Sequence, residues 1–511
     1  MSDRPAGRIY LVGGGPGDPG LLTLRGRECL QRADVVLYDY LVNPRVLDHA
    51  PQAELVCLGR HRYDRVMDQS EINTRLVELA LGGRVVVRLK GGDPAVFGHL
   101  AEEVEALRAA NVEYEIVPGV TAASAAASYA GIPLTWRDAA SAVAFITGQE
   151  GHDKQSQLDF GALARFPGTL VFYMGVTTVQ HWTAGLIAAG MPPDTPAACV
   201  LRASWPDQQT LLSTLGQMAE RIEQQRVRPP AIFIVGRVAG LSGTIDWFSR
   251  RPLAGVTVLA TRPLRPADLM ADPLAEQLAE LGANVLRQPA IEIGDPPDWQ
   301  LVDAAIAALA RFDWVVFSSA NGVDAFLGRL LAGGRDLRAL GAVRLAAIGP
   351  GTADALARYH LLADVVPGEY RAEALAAALA NRARGQRFLL VRASRGRQIL
   401  AEQLRAAGGS VDEVVAYTSR DVSEPDAQIA ERLKSGRIDW ITVTSSAIAR
   451  SLAAMFGQGL CSAKLASISP ITSSVLREAG FEPTVEASQY TTSGLVTAIL
   501  AWQRKHAPRA R

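Results

Sequence analysis

The stretch 85–98, VVVRLKGGDPAVFG, holds residue types whose spacing suits a ligand site. An apolar, β-rich run stops at Gly91, Gly92, Asp93 and Pro94, and helical spacing resumes over 101–110. Glycine has no Cβ, so Gly91 and Gly92 allow a ligand close to the backbone, and ligands of open α/β sheets bind beyond the carboxyl ends of strands. A second such end is 8–12, RIYLV, before GGGPGDPG. Gly13 and Gly15 fit the first two positions of the dinucleotide pattern G-x-G-x-x-G, and Asp39 follows the strand 35–38 about 20 residues on. The third position, however, is Asp18, and Pro16 and Pro19 stiffen the turn. A carboxylate there would repel a pyrophosphate at a helix N-terminus, which argues against a nicotinamide or flavin site and suits a cationic or neutral ligand.

Further strand ends position these loops. They are 114–117 before PGVTAASAA, 143–147 before Gly148, 169–174 before Gly175, and 231–235 before Gly236. With helices between them they predict an α/β unit of two lobes, 1–118 and 119–250. Any one loop taken singly reads better as a turn; glycine-containing strand ends repeated within one unit point to a shared pocket.

A chain of 511 residues exceeds one ordinary core and implies two functional units. Lys+Arg 52 against Asp+Glu 52 leaves no global field to gather nucleic acid or an anionic membrane, so neither is expected as a partner and any polyanion must be held by local arginines. Cys29, Cys57, Cys199 and Cys461 show no metal-ligand or CxxC spacing; no metal is expected, and reduced thiols point to the cytoplasm. No signal-peptide layout opens the chain, and no apolar run approaches the ~20 residues of a membrane span.

The strand pattern lapses over 241–253, where Arg250, Arg251 and Pro252 mark a boundary, and GVTVLATRP opens a second unit at Gly255. Within it FDWVVFSSANGVDAF parallels IDWITVTSSAIARSL, and LAAIGPGTADAL parallels LASISPITSSVL, both about 120 residues later, which implies two similar subdomains. Hydroxyl-rich loops at strand ends suit carboxylates, bound through backbone N–H groups and hydroxyls. The same serines also serve as helix caps. Residues 503–511 read as a frayed basic tail.

The segments VGGGPGDPGLLTLRG, ADVVLYDYLV, VVRLKGGDPAVFG, VPGVTAASAAASYAGIPLTWRD, TLVFYMGV and PAIFIVG resemble the uroporphyrinogen-III C-methyltransferases of the tetrapyrrole methylase class. The resemblance implies a two-lobed fold, S-adenosylmethionine in the cleft with S-adenosylhomocysteine as by-product, a homodimer formed through this half, and methylation of two pyrrole rings to give precorrin-2. It puts Pro16, Gly91, Gly92, Asp93, Val96, Thr121, Ala122, Met174, Ala203 and Ala231 at the cofactor, and makes Asp39 a proton acceptor, although a turn or cap aspartate is the other reading of that residue. Where relatives carry a lysine assigned as proton donor, this chain has Arg60, which can orient or neutralise carboxylates but donates protons poorly. Ala95, His99, Leu100, Ala101, Trp136 and Gln149 also depart from the family pattern, mostly around the tetrapyrrole.

The second half resembles uroporphyrinogen-III synthase through TRP, SSANGV, IGPGTADAL, LLVRASRGR, VVAYTS and TSGLVTAI, over about residues 255–502. That family's fold implies one domain from 255–289 plus 418–502 and another from 290–417, acting on hydroxymethylbilane. Tyr417 and Thr472, with Thr444 and Ser446, match its cleft, and Ser318, Ser319 and Asn321 lie opposite. Arg262, Arg392, Arg395 and Arg397 are candidate carboxylate partners or solvated surface arginines. The reading is a fused α/β enzyme whose synthase feeds its methylase; the rival is a catalytically silent tetrapyrrole-binding second half. No dehydrogenase or chelatase segment precedes the methylase, so the product expected is precorrin-2.

Overall fold

The computed structural model describes residues 7–59, 67–149, 158–263, 272–395 and 398–506. Two compact units emerge, Met1–Gly255 with Leu281–Asn284, and Val256–Glu280 with Val285–Arg511.

The first unit holds two sheets. β1 (Arg8–Gly13), β2 (Val35–Tyr38), β3 (Glu54–Cys57), β4 (Val85–Lys90) and β5 (Glu113–Val117) are ordered β3-β2-β4-β1-β5. Every pair is parallel. Both faces are covered, as parallel sheets require: Ile9, Leu11, Val35, Leu37 and Val86 pack on one side, and Tyr10, Val12, Val36, Val87 and Leu89 on the other. All carboxyl ends therefore meet at one edge. β6 (Val143–Thr147), β7 (Thr169–Tyr173), β8 (Pro196–Leu201), β9 (Gln209–Thr214) and β10 (Ala231–Val235) form the second sheet, ordered β6-β7-β10-β8-β9. β10 runs antiparallel to β7 and β8, so its first residue, Ala231, lies beside their carboxyl ends. The strand-and-helix reading missed β3, β8 and β9. β8 and β9 form an antiparallel hairpin with no helix between them, and β3 is a short, largely exposed edge strand.

The second unit also has two sheets. β11 (Thr257–Ala260), β12 (Asn284–Arg287), β18 (Trp440–Val443), β19 (Lys464–Ser467) and β20 (Val485–Glu486) are ordered β12-β11-β18-β19-β20. β13 (Ile291–Gly294), β14 (Trp314–Phe317), β15 (Arg344–Ala347), β16 (Arg387–Ala393) and β17 (Ser410–Asp421) are ordered β13-β17-β16-β14-β15. The chain passes from one sheet to the other beside its own return path, with β13 antiparallel to the end of β17. The internal duplication holds to the level of single contacts. Trp314 pairs with Arg344 and Trp440 with Lys464 at matching registers, and each cation lies over the indole beside it.

At the C-terminus the helix Thr492–His506 includes the first part of the stretch read as frayed. His506 stacks on Trp502 at 4.0 Å between centroids, and Arg504, Lys505 and His506 in the last turn complement the helix dipole. Apolar packing plus dipole thus outweighs fraying as far as His506.

Candidate functional site

In the first unit, the carboxyl-end loops of the first sheet are welded by backbone contact. Gly15 and Gly92 exchange N–H···O bonds of 3.2 and 2.8 Å, and Gly14 N–H donates to the Lys90 carbonyl at 2.7 Å. A Cβ on Gly119 would fall 2.3 Å from the Gly92 carbonyl oxygen, and one on Gly13 would fall 2.6 Å from Gly119 Cα. Several of these glycines therefore admit neighbouring loops rather than a ligand. Asp93 braces the same floor, accepting from Ala95 N at 2.8 Å and from Gly119 N at 3.0 Å. Thr121, at the N-cap of the helix Ala122–Ala130, shares a 2.7 Å hydrogen bond with the Tyr173 hydroxyl, which also accepts from Ala123 N at 3.1 Å. Burial raises the Tyr173 phenol above its ordinary value and keeps it neutral.

Amides that would hold a phosphate are thus occupied by Asp93 and Tyr173, which strengthens the case against a nucleotide pyrophosphate. The donor set fits S-adenosylmethionine: an acid-bearing, glycine-lined floor for a cationic sulfonium, with the apolar side chains of Val96, Ala122 and Ala203 packed into one neighbouring cluster. Met174, half exposed, caps the end of β7 in the left-handed region. Ala231 belongs to a different cluster, with Phe233 and Val235, and is paired with Leu201 of β8. A cavity of about 380 Å³ elsewhere, beside Gly131 and Ile245, contains none of these residues.

Asp18 does not serve a ligand as expected. Its Oδ1 accepts from Gly20 N and its Oδ2 from the Tyr129 hydroxyl at 2.8 Å, while its own N–H donates to Ser204 Oγ at 3.0 Å. Trp205 Nε1 donates to the Pro16 carbonyl, and Asn43 holds the Gly17 carbonyl. The proline-stiffened loop is a latch onto the second lobe, which uses up the acid.

Asp39 sits one residue beyond β2, its N–H bonded to the Leu89 carbonyl. Its Oδ1 lies 2.6 Å from an Arg88 terminal nitrogen, and its side chain is about 29% exposed, enough to reach a substrate. Arg88 Nε and Lys90 Nζ both bond Glu103 Oε1, at 3.0 and 2.7 Å. Sequence reading missed this buried group, because Arg88 and Lys90 look like polar punctuation of a strand. The signal was their period of two: they continue the Val86 face of β4 under the helices Gln69–Leu81 and Leu100–Ala109. Burial, and then Arg88, lower the Lys90 ammonium below its ordinary value. Arg60 lies outside the described residues.

Ala95, His99, Leu100 and Ala101 share a cavity of about 660 Å³ with Phe97, Ile116, Thr147 and Met174. The departures from the family pattern thus gather at one wall. Trp136 pairs with Ala140 and Gln149 folds back on Thr147, both outside that lining.

In the second unit, Ser318, Ile348, Thr444 and Ile468, the residues just past β14, β15, β18 and β19, line one cavity of about 370 Å³ with Tyr417, Ser446 and Thr472. Four helices begin there, capped by Ser319, Gly349, Ser445 and Ser469. All three serine hydroxyls accept from an amide of the helix they cap, and Ser319 Oγ also lies 2.9 Å from the Tyr417 hydroxyl. Arg371, Arg392 and Arg395 also line it, and Arg371 is partnered by Glu369. Arg392 is partnered by Glu413 and Arg395 by Asp421. Asn321 lies on the first turn of its helix and is not in the lining; Arg262 is paired with Asp272 instead, and Arg397 is outside the described residues. Tyr370 and Arg371 were not anticipated, since they lie in an irregular stretch with no pattern.

Two family models match, Tetrapyrrole (Corrin/Porphyrin) Methylases over residues 8–219 and Uroporphyrinogen-III synthase HemD over 272–497. The porphyrin biosynthesis protein HemD of Ruminiclostridium josui is 36% identical over 442 residues, 86% of this chain and 87% of its own length. The chain belongs to the family that joins a tetrapyrrole methylase to a uroporphyrinogen-III synthase. The uroporphyrinogen-III C-methyltransferase of Bacillus subtilis (strain 168) is 38% identical over 339 residues, 65% of this chain and 68% of that protein. A solved uroporphyrin-III C-methyl transferase of Thermus thermophilus, complexed with S-adenyl homocysteine, is 42% identical, with 46% of this chain and 99% of that one covered and a TM-score of 0.40. The matched span 8–219 includes the glycine floor and Asp39, and the span 272–497 includes the residues that line the cleft of the second unit. No helix among the described residues is long and apolar enough to cross a membrane.

Proposed function

We propose that the chain closes hydroxymethylbilane to uroporphyrinogen III and methylates that product twice, using S-adenosylmethionine, to precorrin-2. In the synthase cleft the four helix N-termini supply positive potential for the acetate and propionate groups of a linear tetrapyrrole, while the rim arginines are already paired with Glu369, Glu413 and Asp421. Tyr417, held by Ser319, and the hydroxyls of Thr444, Ser446 and Thr472 face the space where the last ring turns over. Closure without inversion needs no catalyst, so the cleft acts mainly by selecting the inverted conformer. A cavity of 370 Å³ is small for four rings, so the substrate extends beyond it or parts its walls.

In the methylase, the cofactor supplies a methyl group already activated on sulfur. Gly91, Gly92, Asp93, Val96, Thr121, Ala122, Met174 and Ala203 hold it, with the backbones of Pro16 and Ala231 at the margins. Asp39 takes a proton at Oδ2 from the macrocycle as the carbon–methyl bond forms; Oδ1 is engaged by Arg88. Arg60 contributes charge rather than a proton. The observation that carries the reading is the pairing of an anion-excluding floor with an acid held at its rim.

Two measurements on the intact chain test it. Calorimetry should show S-adenosylhomocysteine binding, and hydroxymethylbilane should yield the type III macrocycle. Absence of binding overturns the methylase assignment; the type I isomer alone leaves the second half a silent binding module.

A further inference from the structure

Arg88, Lys90 and Glu103 occupy positions where apolar side chains would pack without cost. They are almost wholly buried, with side-chain exposures of 3%, 3% and 0%. Replacing such a cluster by well-packed apolar residues is often neutral or stabilising, so its presence calls for a use other than stability. The geometry supplies one. Each nitrogen of the Arg88 guanidinium has its own acceptor: Nε bonds Glu103 Oε1 at 3.0 Å, one terminal nitrogen bonds the Leu89 carbonyl at 3.3 Å, and the other reaches Asp39 Oδ1 at 2.6 Å. A planar fork gripped at three points can take only one orientation. Glu103 is gripped in turn, since the same Oε1 receives Lys90 Nζ at 2.7 Å and Gln69 Nε2 at 3.3 Å. Its Oε2 is buried without a hydrogen-bond partner among the described residues, so the carboxylate is held there through one oxygen against two cations.

We propose that Glu103 is a positioning residue for methyl transfer: by anchoring Arg88 and Lys90 beneath the sheet edge it fixes the Arg88 fork, and through it the carboxylate of Asp39, against the macrocycle. Glu103 touches neither substrate nor cofactor. Its place on the buried face of the helix Leu100–Ala109 keeps solvent from competing for Arg88, so Asp39 meets a cation of one fixed direction. Lys90, next to Gly91, ties the same anchor to the strand end that carries the glycine floor.

The inference rests on Asp39 as proton acceptor, and a double-mutant cycle on the full chain separates the two. Uroporphyrinogen III and S-adenosylmethionine are supplied, and turnover, KM and S-adenosylhomocysteine affinity are measured for Glu103→Gln, Glu103→Asp, Asp39→Asn and Glu103→Gln with Asp39→Asn. Glu103→Gln should lower kcat by roughly 100-fold, the scale of a misplaced catalytic group, with KM and cofactor affinity within about twofold. Glu103→Asp should recover part of the loss. In the Asp39→Asn background Glu103→Gln should change nothing further. Additive losses, or a fall in cofactor affinity matching the fall in kcat, would reduce Glu103 to a structural residue. Full activity of Asp39→Asn would instead refute the underlying reading. If Glu103→Gln does not fold, Arg88→Lys keeps the charge, loses the three-acceptor fork, and must show the same non-additivity.

Discussion

The chemistry proposed for the methylase narrows to one exposed carboxylate and the cation behind it. Asp39→Asn preserves size and the Arg88 contact but cannot accept a proton, so S-adenosylhomocysteine should bind normally while turnover falls by about 10²–10⁴-fold; near wild-type turnover would remove Asp39 from the mechanism. The thiols offer an independent check on burial. Cys199 lies in the sheet core, and burial pushes its thiol up to about 12. Between an ordinary thiol value of about 8.5 and that value the unfolded chain releases a proton that the folded chain keeps, so stability falls as pH rises through the window. At pH 8 a thiol reagent should modify the exposed Cys461 quickly and Cys199 only after unfolding. Rapid modification of Cys199 in the native protein would contradict the core packing. At this scale the strand-end glycines were legible as points of close approach, because a residue without a Cβ is its own signal, but what approaches Gly13 and Gly119 is the backbone of a neighbouring loop. The sequence was opaque at Phe97, His99 and Met174, which adopt positive φ at the cleft without being glycine, and at Glu103, whose partners come from another element.

Among the elements, the strand-end loops carry the account. Asp93 and the glycine contacts bind three loops into one floor, so a single added methyl should disturb all of them. Gly119→Ala puts a Cβ 2.3 Å from the Gly92 carbonyl and should lower stability by about 2 kcal/mol or more, and cofactor affinity with it. Thermal unfolding and calorimetry measure both, and unchanged values would mean the loops move independently. The latch at Asp18 makes a milder case. Tyr129→Phe deletes one partly buried hydrogen bond to a charged group and should cost about 1.5–3 kcal/mol without abolishing methylation. The strand and helix periodicities exposed the α/β pattern, because apolar runs ending in glycine are visible in one dimension. The antiparallel course of β10 and the hairpin β8–β9 were not visible, since strand direction depends on pairing across the sheet. Asp18 misled for the same reason: an acid beside a glycine loop looks free until a tyrosine from another lobe is placed against it.

At the scale of the whole molecule, the chain joins a methylase half to a synthase half, and under the proposed function the macrocycle made by one is the acceptor of the other. The internal duplication within the synthase half was legible as repeated words, FDWVVF against IDWITV, because both copies keep a Trp beside a cation on the neighbouring strand. The methylase half should also pair with a second copy; sedimentation should give twice the 54.5 kDa chain mass, and a strictly monomeric, active protein would remove pairing from the account. Both proposed activities can be read in one incubation of the full chain with hydroxymethylbilane and methyl-labelled S-adenosylmethionine, with the macrocycle analysed by mass and isomer. A type III ring carrying two labelled methyl groups is expected; an unlabelled macrocycle, or label absent from any tetrapyrrole, would overturn the proposed function.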